Sequence, residues 1–104
     1  MEVFAVNWLW TWDGTSFGYR DGDSLFTHIG VEAGRFHGDE IYGVDGAYLG
    51  ELKSGKLITN LSKKTKQKST FSARHRGGIV DRVGHVGTVI YAGYEDFPSP
   101  DDFR

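Results

Sequence analysis

The fold is decided by residues 9–56, which read LWTWDGTSFGYRDGDS (9–24), LFTHIGVEAGRFHGDE (25–40) and IYGVDGAYLGELKSGK (41–56). Each sixteen-residue block opens with a large aliphatic residue and an aromatic one, and has glycine at its sixth and tenth positions. Leu57 starts a degenerate fourth block that gives way to lysines. Turn-forming residues about every eight positions predict an all-β meander of short hairpins, arranged as a barrel, a sandwich or a propeller-like ring.

The turns of these hairpins set the expected strand register. Asp13-Gly14 suits a two-residue type I′ turn, and Ile29-Gly30 at the same place in the second block predicts a slightly longer loop. The resulting register pairs Trp8 with Tyr19, Leu9 with Gly18, Trp10 with Phe17, Leu25 with Gly34, Phe26 with Ala33, Ile41 with Gly50 and Tyr42 with Leu49. It also pairs Glu40 with Glu51, an unfavourable contact that argues against strictly two-residue turns in every block.

Composition excludes several classes of site. The 104 residues contain no cysteine, so disulfides, thiolate zinc sites and cysteine nucleophiles are excluded. The four histidines lack the spacing of a metal or catalytic set, and 37–40 (HGDE) is typical of a turn, so we expect no metal, no cofactor and no enzyme activity. The first apolar run, 3–12, is too short to span a bilayer and lacks the marks of a signal peptide. We therefore expect a cytoplasmic protein that does not bind membranes.

The charge of −2 is unevenly distributed along the chain. Residues 1–51 carry nine acidic and two basic side chains, whereas residues 52–80 carry eight basic and none acidic. Residues 1–97 are expected to form one all-β domain that includes a long polar basic loop at 60–76, with regular structure returning at 78–80 and 83–91. Residues 98–104 are expected to be an extended acidic tail, and Phe97 and Phe103 could dock that tail on the domain or on a neighbouring subunit.

Two groups of side chains are candidates for binding. The basic segment 53–76 could contact phosphates, because lysines and arginines alternate there with stacking groups. The residues are Lys63, Lys64, Lys66, Lys68, Arg74, His75 and Arg76. The tryptophans on one face of the first strand, with Trp12 at its rim, could stack on sugars or bases, although core packing explains them more simply.

Several segments resemble the 4-fold β-flower family of small bacterial proteins. The matching stretches are 17–23 (FGYRDGD), 34–43 (GRFHGDEIYG), 46–52 (GAYLGEL), 56–60 (KLITN) and 91–98 (YAGYEDFP). The resemblance implies an all-β domain with hairpin petals around a pseudo-fourfold centre. The sixteen-residue repeat supports three such petals and leaves the fourth degenerate. The family has no established activity, so the resemblance implies no catalytic residue.

These observations favour a non-catalytic interaction or assembly module that forms homo-oligomers or binds a protein partner. Its complementary acidic and basic segments could pair within the domain or between subunits. The alternative is binding of a polyanion or nucleic acid through the basic segment, although a pI near 6.0 has the wrong sign for a dedicated nucleic-acid binder. Carbohydrate binding on the tryptophan face is a weaker alternative.

Overall fold

The computed structural model describes residues 7–77, 83, 84, 87 and 89–103. The strands among them are β1 (Asn7–Thr11), β2 (Ser16–Asp21), β3 (Ser24–Thr27), β4 (Glu32–His37), β5 (Glu40–Gly43), β6 (Tyr48–Lys53), β7 (Lys56–Asn60) and β8 (Tyr94–Asp96). Two 3-10 helices complete the described elements, Leu61–Lys63 and Pro100–Phe103. The all-β prediction is confirmed.

The strands form a closed barrel. Each strand from β1 to β7 pairs antiparallel with the next, and β7 then pairs with β1 in parallel, which closes a seven-stranded mixed barrel. The edge of β7 is shared, because Lys56 and Leu57 pair with β1 while residues 58–60 pair antiparallel with β8. The predicted meander of hairpins is therefore confirmed. The last antiparallel pair, β7 with β8, is not a hairpin, because residues 61–93 separate its two strands.

The barrel interior is filled by residues that recur every eight positions. Buried members of this set and of the tail are Leu9, Phe17, Leu25, Ala33, Ile41, Leu57 and Phe97, with Leu49 partly buried against them. The bulky residues lie opposite glycines as predicted, in the pairs Leu9–Gly18, Leu25–Gly34 and Ile41–Gly50. A Cβ on Gly50 would meet the Phe97 ring at 2.6 Å, so this glycine makes room for an interior side chain.

The loop is the same in all three blocks, and it matches the prediction only in the second block. All three blocks use the same three-residue loop, which starts after residue 11, 27 or 43. The backbone N–H of that residue donates to the carbonyl four positions later, and its own carbonyl accepts from the N–H of the glycine three positions later. This is a type I turn followed by a positive-φ glycine that forms a bulge. The two-residue turn predicted at Asp13-Gly14 is wrong, whereas the loop at Ile29-Gly30 is one residue longer than such a turn, as predicted. The type I′ geometry occurs instead between β6 and β7, at Ser54-Gly55, where φ is 52° and 76°.

The bulge changes the register at one position in each block. It leaves Trp8 opposite Tyr19 as predicted. The partners of the following aromatic residues are wrong by one place: Trp10 faces Ser16 rather than Phe17, Phe26 faces Glu32 rather than Ala33, and Tyr42 faces Tyr48 rather than Leu49.

Residues 61–77, which we call the strap, run across the hairpin loops. The strap backbone bonds to the third block through Lys68 N to Gly46 O at 2.8 Å, and to the second block through Arg76 N to Gly30 O at 2.7 Å. Further along, a Cβ on Gly84 would lie 2.7 Å from the carbonyl oxygen of Gly14 in the first block. Eight residues of chain therefore carry the strap from one hairpin loop to the preceding one.

The last part of the chain departs from its predictions. The described residues of 83–91 lie in no strand, and 78–80 lie outside the described residues. The tail is not extended, because Pro100–Phe103 forms a 3-10 helix. Phe97 is buried, and the rings of Phe97 and Phe103 lie 5.3 and 5.8 Å from that of Phe17, so the tail is docked on the barrel. None of the described residues belongs to a helix that is long and apolar enough to cross a membrane.

Candidate functional site

The predicted basic residues of the strap face acidic and aromatic groups of the barrel. Their contacts are Lys63 with Glu40 and Glu51, Lys64 with Glu95, Lys66 with Glu40, Lys68 with the Tyr42 ring, Arg74 with Glu32 and Arg76 with Asp21. The backbone of His75 bridges to Val31, and its side chain is exposed. The acidic and basic segments thus pair within one chain, which leaves less positive charge for a polyanion.

The centre of this pairing is the predicted Glu40–Glu51 contact, which does occur between β5 and β6. Lys63 Nζ lies 3.1 Å from Glu40 Oε2 and 2.8 Å from Glu51 Oε1, and its ammonium group offsets the repulsion between the two carboxylates. The hydroxyl groups of Tyr42 and Tyr48 donate to Glu40 and Glu51 respectively, each at 2.8 Å.

The pKa values of the ionisable groups in this cluster lie far from neutral pH. The hydrogen bond from Lys66, followed by that from Tyr42, lowers the pKa of Glu40 to about 2. Hydrogen bonds to Glu51 and Glu40 raise the pKa of Lys63, and burial raises the pKa of Tyr48. A general acid or base works best with a pKa near the operating pH, so these shifts suit a structural cluster.

Glu32 forms a second buried link between barrel and strap. Its carboxylate accepts from the backbone N–H of Arg74 at 3.0 Å and lies 3.3 Å from Arg35 Nε. Burial raises the pKa of Glu32, but hydrogen bonds from Ser24 and Arg74 outweigh burial, and the net shift is downward. The guanidinium of Arg76 also lies 4.2 Å from the centre of the Phe26 ring. This part of the strap is held by charge, hydrogen bonds and cation–π contact together.

Trp8, Trp10 and Trp12 do not form an open platform. Trp8 and Trp12 are buried at 8% and 3% exposure, and Trp10 is half-buried. The indole N–H of Trp8 donates to Ser16 Oγ, that of Trp10 to the Val83 carbonyl and that of Trp12 to the Val89 carbonyl. These rings therefore pack the barrel and anchor the chain that follows the strap.

A cleft opens where β1 and β8 share the edge of β7. It has a volume of about 340 Å³ and is lined by Trp12, Asp13, Ile90, Tyr94, Glu95 and Asp96. Trp12 and Asp13 belong to the first hairpin loop, and residues 94–96 are β8. Of the residues predicted to bind, the structure places only Trp12 here, and the basic residues of the strap do not line the cleft.

Two carboxyl groups join the walls of this cleft. Asp96 Oδ1 accepts from the backbone N–H groups of Trp12 and Phe97, both at 2.9 Å, and the Asp96 side chain hydrogen-bonds to Asp13. Burial, followed by the Asp13 contact, raises the pKa of Asp96. The hydrogen bond from Thr11 and the other bonds to Asp13 lower its pKa to about 2. The cleft wall therefore keeps an ionised carboxylate at neutral pH.

Exposed apolar side chains continue from this cleft along the chain that follows the strap. Val83 and Val89 are 88% and 85% exposed, and Ile90 and Tyr91 are 42% and 50% exposed. The Tyr91 ring lies 5.5 Å from that of Trp12. The carbonyl groups of Val83 and Val89 accept from Trp10 and Trp12, which are two residues apart in the chain, so these side chains belong to one region of the surface.

The cleft could not be predicted from the sequence, because Asp13 and Asp96 are 83 positions apart and each belongs to an ordinary turn or strand. Among the described residues, no group of three histidines or carboxylates could hold a metal ion. No protein-family model, no curated protein and no solved structure matches this chain. The proposals below therefore rest on the geometry of the cleft and of the strap.

Proposed function

We propose that this protein is a non-catalytic interaction module that binds a protein partner at the cleft between the first hairpin loop and β8. The observation that carries the proposal is the continuity of the cleft with the exposed Val89, Ile90 and Tyr91. Exposed apolar side chains that adjoin one another mark interaction surfaces more often than isolated ones do. A cleft of about 340 Å³ is large enough to accept an anchoring side chain.

The lining of the cleft indicates the chemistry of the partner. Trp12, Ile90 and Tyr94 form its apolar part, while Asp13, Glu95 and Asp96 bring carboxyl groups to its walls. A partner segment with an apolar anchor beside a lysine or arginine matches both parts. Glu95 is held by Lys64, but both side chains are about half exposed, so this ion pair is weak and a partner's cation can replace it.

Polyanion binding by the strap is the less favoured function. The strap cations contact Glu32, Glu40, Glu51, Asp21 and Glu95, so a polyanion would have to replace these intramolecular partners. Carbohydrate binding on the β1 tryptophans is also less favoured, since two of the rings are buried.

The test is selection from a random twelve-residue peptide library on the wild-type protein. We expect enriched peptides to carry an apolar residue next to lysine or arginine, and to bind the double variant Ile90→Ser, Glu95→Lys at least tenfold more weakly. The matched control Asp39→Lys changes an exposed carboxylate outside the cleft and should bind like wild type. Peptides that bind both variants equally would place the interaction elsewhere.

A second copy of the chain is the other protein partner that the sequence predicts. Sedimentation velocity up to millimolar concentration tests this directly. If the cleft mediates self-association, the wild type and Asp39→Lys will dimerise while the double cleft variant stays monomeric.

A further inference from the structure

We infer that the partner segment at this cleft is an extended basic strand that pairs with the outer edge of β8. The inference rests on the proposed function and adds its binding mode. Strand addition to an exposed sheet edge supplies affinity through backbone hydrogen bonds, and pockets for alternate side chains supply specificity.

The first observation is the position of β8 in the sheet. Residues 94–96 pair with β7 on one side, and no strand among the described residues pairs with their other side. That outer side faces the cleft, because Tyr94, Glu95 and Asp96 all line it. A sheet edge and a side-chain pocket therefore lie at the same place.

The second observation is the direction of the β8 backbone groups. Leu61 N donates to Gly93 O at 2.9 Å, which makes residues 61 and 93 a hydrogen-bonded pair. Pairs of this type alternate along an antiparallel ladder, so Glu95 bonds towards β7 while the N–H and C=O groups of Asp96 point to the outer edge. The Tyr94 carbonyl points the same way, while the Tyr94 N–H donates to the Tyr91 carbonyl at 3.2 Å. A short segment can therefore bond to the Tyr94 carbonyl and to both backbone groups of Asp96.

The third observation is charge. Glu95 and Asp96 place two carboxyl groups on this three-residue strand, and Asp13 adds a third across the cleft. Charged residues on an edge strand oppose pairing between identical edges, so a second copy's β8 is disfavoured. The same carboxylates attract lysine or arginine side chains. The occupant that fits is an extended segment in which basic and apolar residues alternate.

The probe is an acetylated, amidated hexapeptide of alternating lysine and valine, with a glutamate–valine hexapeptide as its charge control. Two further versions of the lysine peptide carry N-methyl groups, one on all lysine amides and one on all valine amides. An added strand directs the N–H groups of every second residue at β8, so the two N-methylated peptides should differ. Affinity is measured by titration calorimetry, and protection of the Asp96 amide by hydrogen exchange.

We expect the lysine peptide to bind the wild type and Asp39→Lys equally, and the double variant Ile90→Ser, Glu95→Lys at least tenfold more weakly. One N-methylated peptide should lose at least tenfold in affinity while the other stays within about twofold, and exchange of the Asp96 amide should slow at least tenfold. Equal binding of both N-methylated peptides refutes strand addition but leaves the interaction module intact. Equal binding to the double variant, or no binding of the lysine peptide, overturns this site for a basic segment. Binding of the glutamate peptide as tightly as the lysine peptide overturns the charge assignment.

Discussion

Replacing Lys63 with methionine tests whether one ammonium group holds β5 and β6 together. Lys63 contacts Glu40 at 3.1 Å and Glu51 at 2.8 Å, so those two carboxylate oxygens are at most about 6 Å apart. At this separation, with an effective dielectric constant of about 20, two unit charges repel by about 3 kcal/mol. Lys66 still contacts Glu40 in the variant and offsets part of the repulsion. We therefore expect Lys63→Met to lower the free energy of unfolding by about 2 kcal/mol.

The assay is urea denaturation at pH 7 followed by tryptophan fluorescence, with Lys64→Met as the matched control. Lys64 is the next residue and pairs with a single acidic side chain, Glu95. These two side chains are 51% and 47% exposed, so the loss of Lys64 should cost less than about 0.5 kcal/mol. Adding Glu51→Gln to Lys63→Met should restore more than half of the lost stability, because it removes one of the repelling charges. If Lys63→Met costs no more than Lys64→Met, or if Glu51→Gln restores nothing, the electrostatic account of this cluster is wrong.

Three further results are expected from urea denaturation. Gly46→Ala should lower the free energy of unfolding by more than about 2 kcal/mol, because φ is 83° and the added Cβ would lie 2.1 Å from a strap carbonyl oxygen. Gly38→Ala should lower it by about 1 kcal/mol, because φ is 64° but nothing lies within 4 Å of the added Cβ. Asp96→Asn should raise stability at pH 7 because the raised pKa shows that folding disfavours the charged form, while Asp96→Ala should cost about 2 kcal/mol by leaving two N–H donors unpaired. Folding lowers the pKa of Glu40 from 4.5 to about 2 and that of Asp13 from 3.8 to about 2. The stability that these carboxylates contribute is therefore present above pH 4.5, and it is lost as the pH falls from about 4.5 to 2.

Each of these results has a clear opposite. Equal losses for Gly46→Ala and Gly38→Ala would mean that the strap is not seated on the hairpin loop. A destabilised Asp96→Asn variant at pH 7 would contradict the assigned carboxyl pair. A urea midpoint in Glu40→Gln that still falls as steeply between pH 4.5 and 2 would remove Glu40 from the groups that set acid stability.

The meander from β1 to β7 could be predicted from local patterns because each of these strands pairs with the next, whereas its closure depends on the distant pairing of β1 with β7. The pairing of Leu9 with Gly18 follows from a hairpin centred near Gly14, and both the predicted and the observed loop preserve it. The partner of Trp10 could not be predicted in the same way, since a two-residue and a three-residue loop both place a glycine at position 14. Local composition does not decide between them.

The sequence indicated that the acidic and basic segments could pair, but the individual contacts between distant residues could not be predicted. The strap looked like a polar loop because its bonds to the barrel use backbone groups, as between Lys68 and Gly46, and backbone bonds leave no pattern in side-chain chemistry. The unfavourable Glu40–Glu51 pair was visible in the register, but nothing near it in sequence indicated that Lys63 would lie between them. The cleft depends on β8 returning to β7 after 33 intervening residues, so its residues could not be grouped from spacing alone.

Successive contacts between the hairpin loops and the segment that covers them have different residue spacings on the two sides. This difference constrains how such a protein could gain or lose a hairpin. Gly46, Gly30 and Gly14 are sixteen residues apart, whereas the residues beside them, Lys68 and Arg76 of the strap and Gly84 of the chain after it, are eight apart. Duplication of one sixteen-residue unit in the gene would add a hairpin loop with no strap residue to cover it. A second, separate insertion of eight residues would be needed to restore the match. The number of hairpins in the barrel is therefore tied to the length of the strap and the chain after it, which are not part of the barrel.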